Sequence, residues 1–377
     1  MSIIAIIFNS CTINEASKDK NVEIIKIADL TPLNISISNF TTHMEVVKFE
    51  TSEECLLGGM ITHLKISNDQ IFVKDNIFNG VYVFDKKGSY MYKLHQFGQG
   101  PGEYLQISDF IIDEQSNTIE ILDTRSRKIF IYDLNSFSFI KDIPISLNVA
   151  SVLAKKDNMY YLGSKGLRNI INDKPTNSNI IAFNPNTGQY KPLFDKLRPD
   201  NEHQALDFSN PYTINSQNEI FVSIMWQNYL YKIEDEQISP IFLIDAGKHD
   251  IPDDIKEGSY DQKHNYLYSS SSSNDKYWGF KMQMFEETNF IFASTKGKDI
   301  HYYIRFNGSD FFTNKIQNDF IPEKTDIDLN ASFILGNYLI TILTPEEDPL
   351  YPLDKYMDYF KIKPEDNPTL LLFKFKN

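Results

Sequence analysis

Two stretches of this chain are near copies of one another, 48 residues apart: Ile71, Asp75, Val81 and Asp85 in the first match Ile119, Asp123, Ile129 and Asp133 in the second. Each copy holds two runs of alternating apolar residues about five positions long, which is the period of a strand. The mark that opens the first run and the acid that closes the second are 14 residues apart in both copies, and Ile220 to Glu234 repeats the interval. Strand-built repeats of this length are too small to bury their own faces. They predict a propeller, in which small antiparallel sheets stack around an axis.

The segments after the closing acid have turn chemistry. Asp85-Lys86-Lys87-Gly88, Asp133-Leu134-Asn135-Ser136, Asn184-Pro185-Asn186-Thr187-Gly188, Glu234-Asp235-Glu236-Gln237 and Asn307-Gly308-Ser309-Asp310 offer local hydrogen bonds and positive φ for hairpins joining a third strand to a fourth. Between the two best copies lies Phe97-Gly98-Gln99-Gly100-Pro101-Gly102-Glu103-Tyr104. With no helix after it and no Lys-Ser/Thr to close it, this stretch is no phosphate loop. It reads as the joint between two blades, with Gly98, Gly100, Pro101, Gly102 and Glu103 serving backbone geometry.

Counting on from the copies gives blades at 57–96, 105–145, 149–194 and 210–245, then a fifth from Gly279 to Lys315. The last has three strands of its own, Ala331–Leu335, Tyr338–Leu343 and Leu370–Lys376, and Met44–Glu50 supplies the fourth. The expected fold is therefore all-β: a six-bladed β-propeller of four-stranded antiparallel blades over 44–377, the last blade closed by an N-terminal strand so that no sheet edge is left open between first and last. The 28 Phe and 21 Tyr suit that strand content.

The N-terminus differs in character. Ile3-Ile4-Ala5-Ile6-Ile7-Phe8 is a short apolar run, and Asn9-Ser10-Cys11 follows. A small residue just before a Cys after such a run has the form of a bacterial lipoprotein signal, although no Lys or Arg precedes it. The expectation is a signal over 1–10, lipidation of Cys11, and a polar tether over 11–43 in which Ile24, Ile25, Ile27 and Leu30 can pack on the domain. The alternative is a buried N-terminal strand. Two cysteines, neither in a CxxC, make no disulfide framework, and no stretch reaches the ~20 apolar residues of a membrane span. A net charge of −14 excludes a nucleic-acid partner and electrostatic docking on an anionic bilayer, leaving the lipid anchor as the membrane contact.

The repeats resemble a known family, the six-bladed β-propeller lipoproteins of Bacteroidetes, which are related to NHL-repeat propellers. The resemblance covers about 44–377. It rests on Glu50-Thr51, the runs Asn68–Asp75 and Val81–Gly88, the joint Gly100-Pro101-Gly102-Glu103-Tyr104, and Glu286–Phe290. It implies a secreted or lipid-anchored protein of the cell envelope and no agreed catalytic residues; fold by itself implies no activity.

In a propeller blade with strands a to d from the axis outward, the b–c and d–a connections open on one face and the a–b and c–d turns on the other. The long insertions, 164–179, 195–209, 246–276 and 344–368, all fall on the first face, together with the Gly-rich joint. Long loops on one rigid face are where binding resides. Of the five arginines, Arg125, Arg127 and Arg168 lie in b–c loops of that face and Arg198 in a d–a loop, while Trp226 and Gln227 occupy another b–c loop and Trp278 ends an insertion. Forked Arg donors and stacking Trp rings suit an anionic or sugar-like ligand; for each residue alone, a surface ion pair or rim packing is the commoner role. GxSxG, HExxH and P-loop motifs are absent. His63 and His301 read as wall or surface positions. His203, His249 and His264, with Asp207, Asp250, Asp253 or Asp254, lack metal spacing. No catalytic residue, metal or cofactor is expected. The reading is a lipid-anchored propeller that binds a small molecule, a glycan or an envelope protein; the alternative is a metal-assisted lyase or lactonase acting in the central channel.

Overall fold

In a computed structural model the chain is described over residues 22–376, except 59–60, 62, 76, 150–151, 165–166, 195–211, 216, 225, 270–274, 287, 298, 323–324, 328, 330–331 and 346–353. Cys11 and Arg198 lie outside the described residues. The chain is an all-β propeller of small, mostly antiparallel sheets. The first comprises Leu64–Ser67, Gln70–Asp75, Gly80–Asp85 and Tyr90–Leu94; the second Asp109–Asp113, Thr118–Asp123, Lys128–Asp133 and Phe139–Pro144. The third uses Val152–Lys156, Met159–Gly163, Ile180–Asn184 and Gln189–Pro192; the fourth Tyr212–Ile214, Ile220–Ser223, Tyr229–Glu234 and Gln237–Asp245. The fifth uses Tyr277–Met284, Phe290–Lys296, Asp299–Phe306 and Ser309–Thr313. In the sixth, Ser332–Leu335, Tyr338–Leu343 and Thr369–Phe375 are joined by Thr41–Lys48, which pairs antiparallel with Thr369–Phe375.

The 48-residue repeat is a repeat of register. Gln70 pairs with Asp85 and Lys74 with Val81, as Thr118 pairs with Asp133 and Leu122 with Ile129. Alternation along each strand serves two neighbours at once. Phe72 packs toward the second sheet, whereas Ile71 and Val73 pack toward the sixth. Six such apolar clusters lie between successive sheets, and one of them joins Val47, Ile340 and Leu370 of the sixth sheet to Leu64, Ile71 and Phe84 of the first, so the ring closes on itself through packing.

The expectation of a six-bladed propeller of four-stranded blades is corrected to seven blades. Among the described residues seven sheets have three strands or more: one of five, five of four and one of three, each an open ribbon, with a two-stranded hairpin besides. The seventh sheet is Ile35–Ser36, Ile316–Asn318 and Thr325–Ile327. Its Ile35, Ile316 and Ile327 share a cluster with Ile304 of the fifth sheet and Phe373 of the sixth. Two- and three-residue strands carry no readable period, and one of these comes from the far end of the chain.

The fifth strand of the fourth sheet is Glu23–Lys26, paired parallel to the outer strand Gln237–Asp245. From there the chain crosses the fifth sheet, where the Leu33 amide donates to the Phe312 carbonyl (2.7 Å) and Thr313 Oγ1 to the Leu33 carbonyl (2.7 Å). It then joins the seventh sheet at Ile35–Ser36. Residues 22–36 are thus a strap over consecutive outer edges, with Ile25 and Ile27 buried beneath it. The nine-residue strand Gln237–Asp245 is thereby paired, and the four-residue Glu23–Lys26 becomes the edge, short as native edge strands tend to be.

Candidate functional site

The b–c loops of the first two sheets are built on one device. Asp75, at the end of its strand and 4% exposed, accepts the amides of Ile77 (2.7 Å) and Phe78 (2.6 Å) on Oδ1 and that of Gly58 (2.5 Å) on Oδ2. Asp123, fully buried, accepts Arg125 (2.8 Å) and Ser126 (3.1 Å) on Oδ1 and Leu105 (2.7 Å) on Oδ2. Each carboxylate shapes its own loop with one oxygen and holds the incoming inter-sheet segment with the other. Such charge-assisted bonds are the stronger kind. In the sequence these two acids stand out as repeat marks, and nothing there signals this role.

The Gly-rich joint is tied into the same frame. The amide of Gly100 donates to Glu103 Oε2 at 2.7 Å, and a Cβ on Gly98 would lie 2.0 Å from that oxygen. Gly102 has φ +77°, and a Cβ there would meet Phe139 at 2.6 Å, so only glycine fits. Tyr104 is fully buried. Its hydroxyl lies 3.2 and 3.3 Å from the carbonyls of Asn79 and Leu94, and burial holds its phenol well above the ordinary range. Asn79 then takes the Ile107 amide on Oδ1 at 2.8 Å.

The arginines expected on this face divide. Arg125, Arg127 and Arg168 are exposed. Asn148 joins two of them: Arg127 Nη2 donates to its Oδ1 (3.0 Å), and its Nδ2 donates to the Arg168 carbonyl (3.3 Å). Arg127 holds φ +55°, at the register point where the first sheet has Asn79. Trp226 is not presented to solvent. It is 8% exposed with φ +69°, and Lys263 Nζ lies 5.3 Å from its ring. Lys263 belongs to a helix, α2 (Tyr260–Ser269), which follows a one-turn helix, α1 (Asp253–Lys256), inside the 246–276 insertion. Gln227, half-buried, donates its amide to the Ile224 carbonyl at 3.0 Å in the same loop. The 164–179 insertion carries the hairpin Asn169–Ile171/Lys174–Thr176, and the 344–368 insertion the helix α3 (Asp354–Phe360).

Buried charge lines the inner strands. Lys74, 6% exposed, donates to the Ser108 carbonyl at 2.9 Å; burial lowers its pKa, against a raising effect of Asp109. His63 Nε2 lies 3.5 Å from Asp109 Oδ1. One sheet further on, Glu120, 1% exposed, receives Lys155 Nζ (2.6 Å), Thr118 Oγ1 (3.2 Å) and the Tyr160 hydroxyl (2.6 Å). Lys155 also bonds Asp113 at 2.7 Å. Burial raises Asp113, but the bonds from Lys155 and Ser116 outweigh it and hold the carboxyl below its usual range; burial lowers Lys155, and its two carboxylates raise it above. Both groups of contacts run between sheets, so they join the ring as well as polarise its inner wall. Among the described residues no three His, Cys, Asp or Glu side chains are placed to hold a metal ion. Asp250, one of the metal candidates, instead takes Asn228 Nδ2 (2.7 Å) and Lys256 Nζ (2.8 Å).

Large apolar side chains are exposed on described loops and inserted elements at Leu56, Ile77, Phe78, Phe97, Ile170, Tyr268 and Tyr359. Every one lies in a b–c or d–a connection; none lies in an a–b or c–d turn. The remaining exposed large apolar residues are in the strap or on strands.

A family model described as a domain of unknown function, DUF4934, matches residues 22–374. Among solved structures, a Bacteroides fragilis protein named for inferred export is 18% identical with a TM-score of 0.72, the match covering 94% of this chain and 100% of that one. A member of the DUF4221 family from Bacteroides vulgatus is 11% identical with a TM-score of 0.56, covering 89% and 97%. These likenesses speak to fold alone. No curated protein matches this chain.

Proposed function

This chain belongs to the DUF4934 family, and from that premise we propose that it is an extracytoplasmic binding module whose contact surface is the face of b–c and d–a loops. The observation that carries the reading is the one-sidedness of its exposed loop-borne apolar residues. Water-facing Phe, Ile and Tyr side chains gathered on one face of a rigid scaffold mark an interaction site. Photo-crosslinking residues placed at Ile77, Ile170 and Tyr268 should yield adducts in cells, and the same residues at Lys87 and Glu236, in the opposite turns, should yield none. Equal labelling of the two faces would overturn the reading.

Export and a lipid anchor at Cys11 belong to the same proposal. The inferred export of the B. fragilis protein favours it. So does strand direction: Glu23–Lys26 runs parallel to Gln237–Asp245, which rises from a c–d turn toward the loop face. A tether joined before Glu23 would reach the propeller from the short-turn side and leave the loop face looking away from the membrane. No described helix is long and apolar enough to cross a membrane, so attachment would rest on the lipid. Growth with a labelled fatty acid should mark the wild type and leave Cys11→Ser blank; an unlabelled wild type would refute the anchor.

A further inference from the structure

We infer that the loop face docks an extended segment of a partner protein in which apolar anchors are followed by acidic residues, with the anchors seated on Leu56, Ile77, Phe78 and Phe97 and the acids on Arg125 and Arg127. The inference rests on the binding-module reading and names the partner's chemistry.

The apolar half is a built surface. Leu56, Ile77, Phe78 and Phe97 are 45%, 66%, 43% and 57% exposed. Asp75 fixes the segment that follows Leu56 and the Ile77–Phe78 turn together, through one oxygen each. The two are in contact: a Cβ on Gly58 would sit 2.7 Å from Ile77 Cβ and 2.9 Å from the Phe78 ring. Phe97 bridges to Tyr104, whose hydroxyl reaches the Asn79 carbonyl next to Phe78. A buried carboxylate and a buried tyrosine thus hold apolar side chains out in water, where each costs solubility and contributes little to the core. Apolar groups already fixed in position lose little entropy when a partner covers them.

The charged half is the next loop. Leu105 spans the two: its carbonyl accepts from Asn79 Nδ2 at 3.4 Å and its amide donates to Asp123. Arg125 and Arg127 stand at the register points of Ile77 and Asn79. In a chain of net charge −14 with five arginines, two exposed within three residues mark a local reversal of sign that selects acidic partners. Glu53 and Glu54, exposed just before Leu56, repel the same acids and set the direction in which the segment lies.

The probe is a fluorescein-labelled synthetic 12-mer with Leu and Phe anchors followed by four Asp, against a control with four Lys in their place. Anisotropy titrations on the full chain at low salt should show the Asp peptide binding at least tenfold tighter than the control. Phe78→Ala/Phe97→Ala should weaken it about tenfold, and Arg125→Glu/Arg127→Glu should invert the preference. All four positions are exposed, and urea midpoints matching wild type would certify the fold. Equal binding of the two peptides, no binding of either, or insensitivity to both variants overturns the inference. So does sedimentation showing a second copy seated on the patch, released by the same Phe variant. Crosslinks at Ile170 or Tyr268 alongside a failed peptide titration would sink this inference and leave the binding face standing; loss of all loop-face crosslinks would sink both.

Discussion

The b–c loops of the first and second sheets share a backbone and differ in what they display. Asp75 and Asp123 each take two amides of their own loop and one from the segment arriving from the preceding sheet. On that common frame one loop holds up Ile77 and Phe78, the other Arg125. The difference teaches that the repeat conserves support and leaves the exposed tip free to vary. The strands beneath follow the same pattern. Phe72 and Glu120 occupy equivalent points, both buried, one in an apolar cluster and the other in a net of three donors.

If the frames are equivalent, Asp75→Ala and Asp123→Ala should cost the same. Each strands three backbone amides that bond a charged acceptor, so a loss of about 3–4 kcal/mol is expected for both in urea denaturation. A gap of more than about 1 kcal/mol between them would break the equivalence.

The Phe72/Glu120 pair can be tested one sheet further on. Lys155→Met leaves Glu120 buried without its cation and should cost about 3 kcal/mol. Adding Glu120→Phe, which copies the first sheet, should recover most of that loss. The Lys155 contribution has a defined pH window. Asp113 is depressed in the folded state, so its share is present above the unfolded carboxyl value of about 4 and fades as pH falls through the lower folded value. Lys155 is raised, so its share holds below about 10.4 and fades as pH climbs through the higher folded value. The stability gap between wild type and Lys155→Met should therefore be widest between about pH 4 and 10 and shrink outside it; a gap that is flat from pH 2 to 11 would contradict the assignment.

The smallest effect is expected from exchanging the tips. Ile77→Arg/Phe78→Ser gives the first loop the second loop's display and should change stability by no more than about 0.5 kcal/mol, while abolishing Asp-peptide binding. A large drop in stability would show that the tips belong to the core after all.

Much of the ring was legible because it is periodic. The register Gln70–Asp85 and its copy Thr118–Asp133 follow from the 48-residue offset. The sequence pattern puts the N-terminal strand of the sixth sheet at Met44–Glu50 and it lies at Thr41–Lys48, a shift of the size expected where no turn residue marks the boundary. What was not legible was set by contacts distant in sequence. Nothing in Glu23–Lys26 predicts a parallel partner more than two hundred residues later. Trp226 reads as a ligand platform in the sequence because Lys263, whose Nζ lies over its ring, belongs to another insertion. Of the Arg set, Arg127 and Arg168 are joined through Asn148, which carries no signal of its own.

The strap also has a mechanical consequence. Its hydrogen bonds to Gln237–Asp245 join two parallel strands, and Glu23 lies at the short-turn end of its own strand. Tension applied there pulls along the strand and loads those bonds in shear, so they share the force instead of opening one at a time. The next points of resistance are the Leu33–Phe312 contact and then the Ile35–Ser36 pairing. Only after these would load reach Thr41–Lys48, the outermost strand of the sixth sheet. Were the chain pulled from its N-terminal side, the ring would not be the first thing to give.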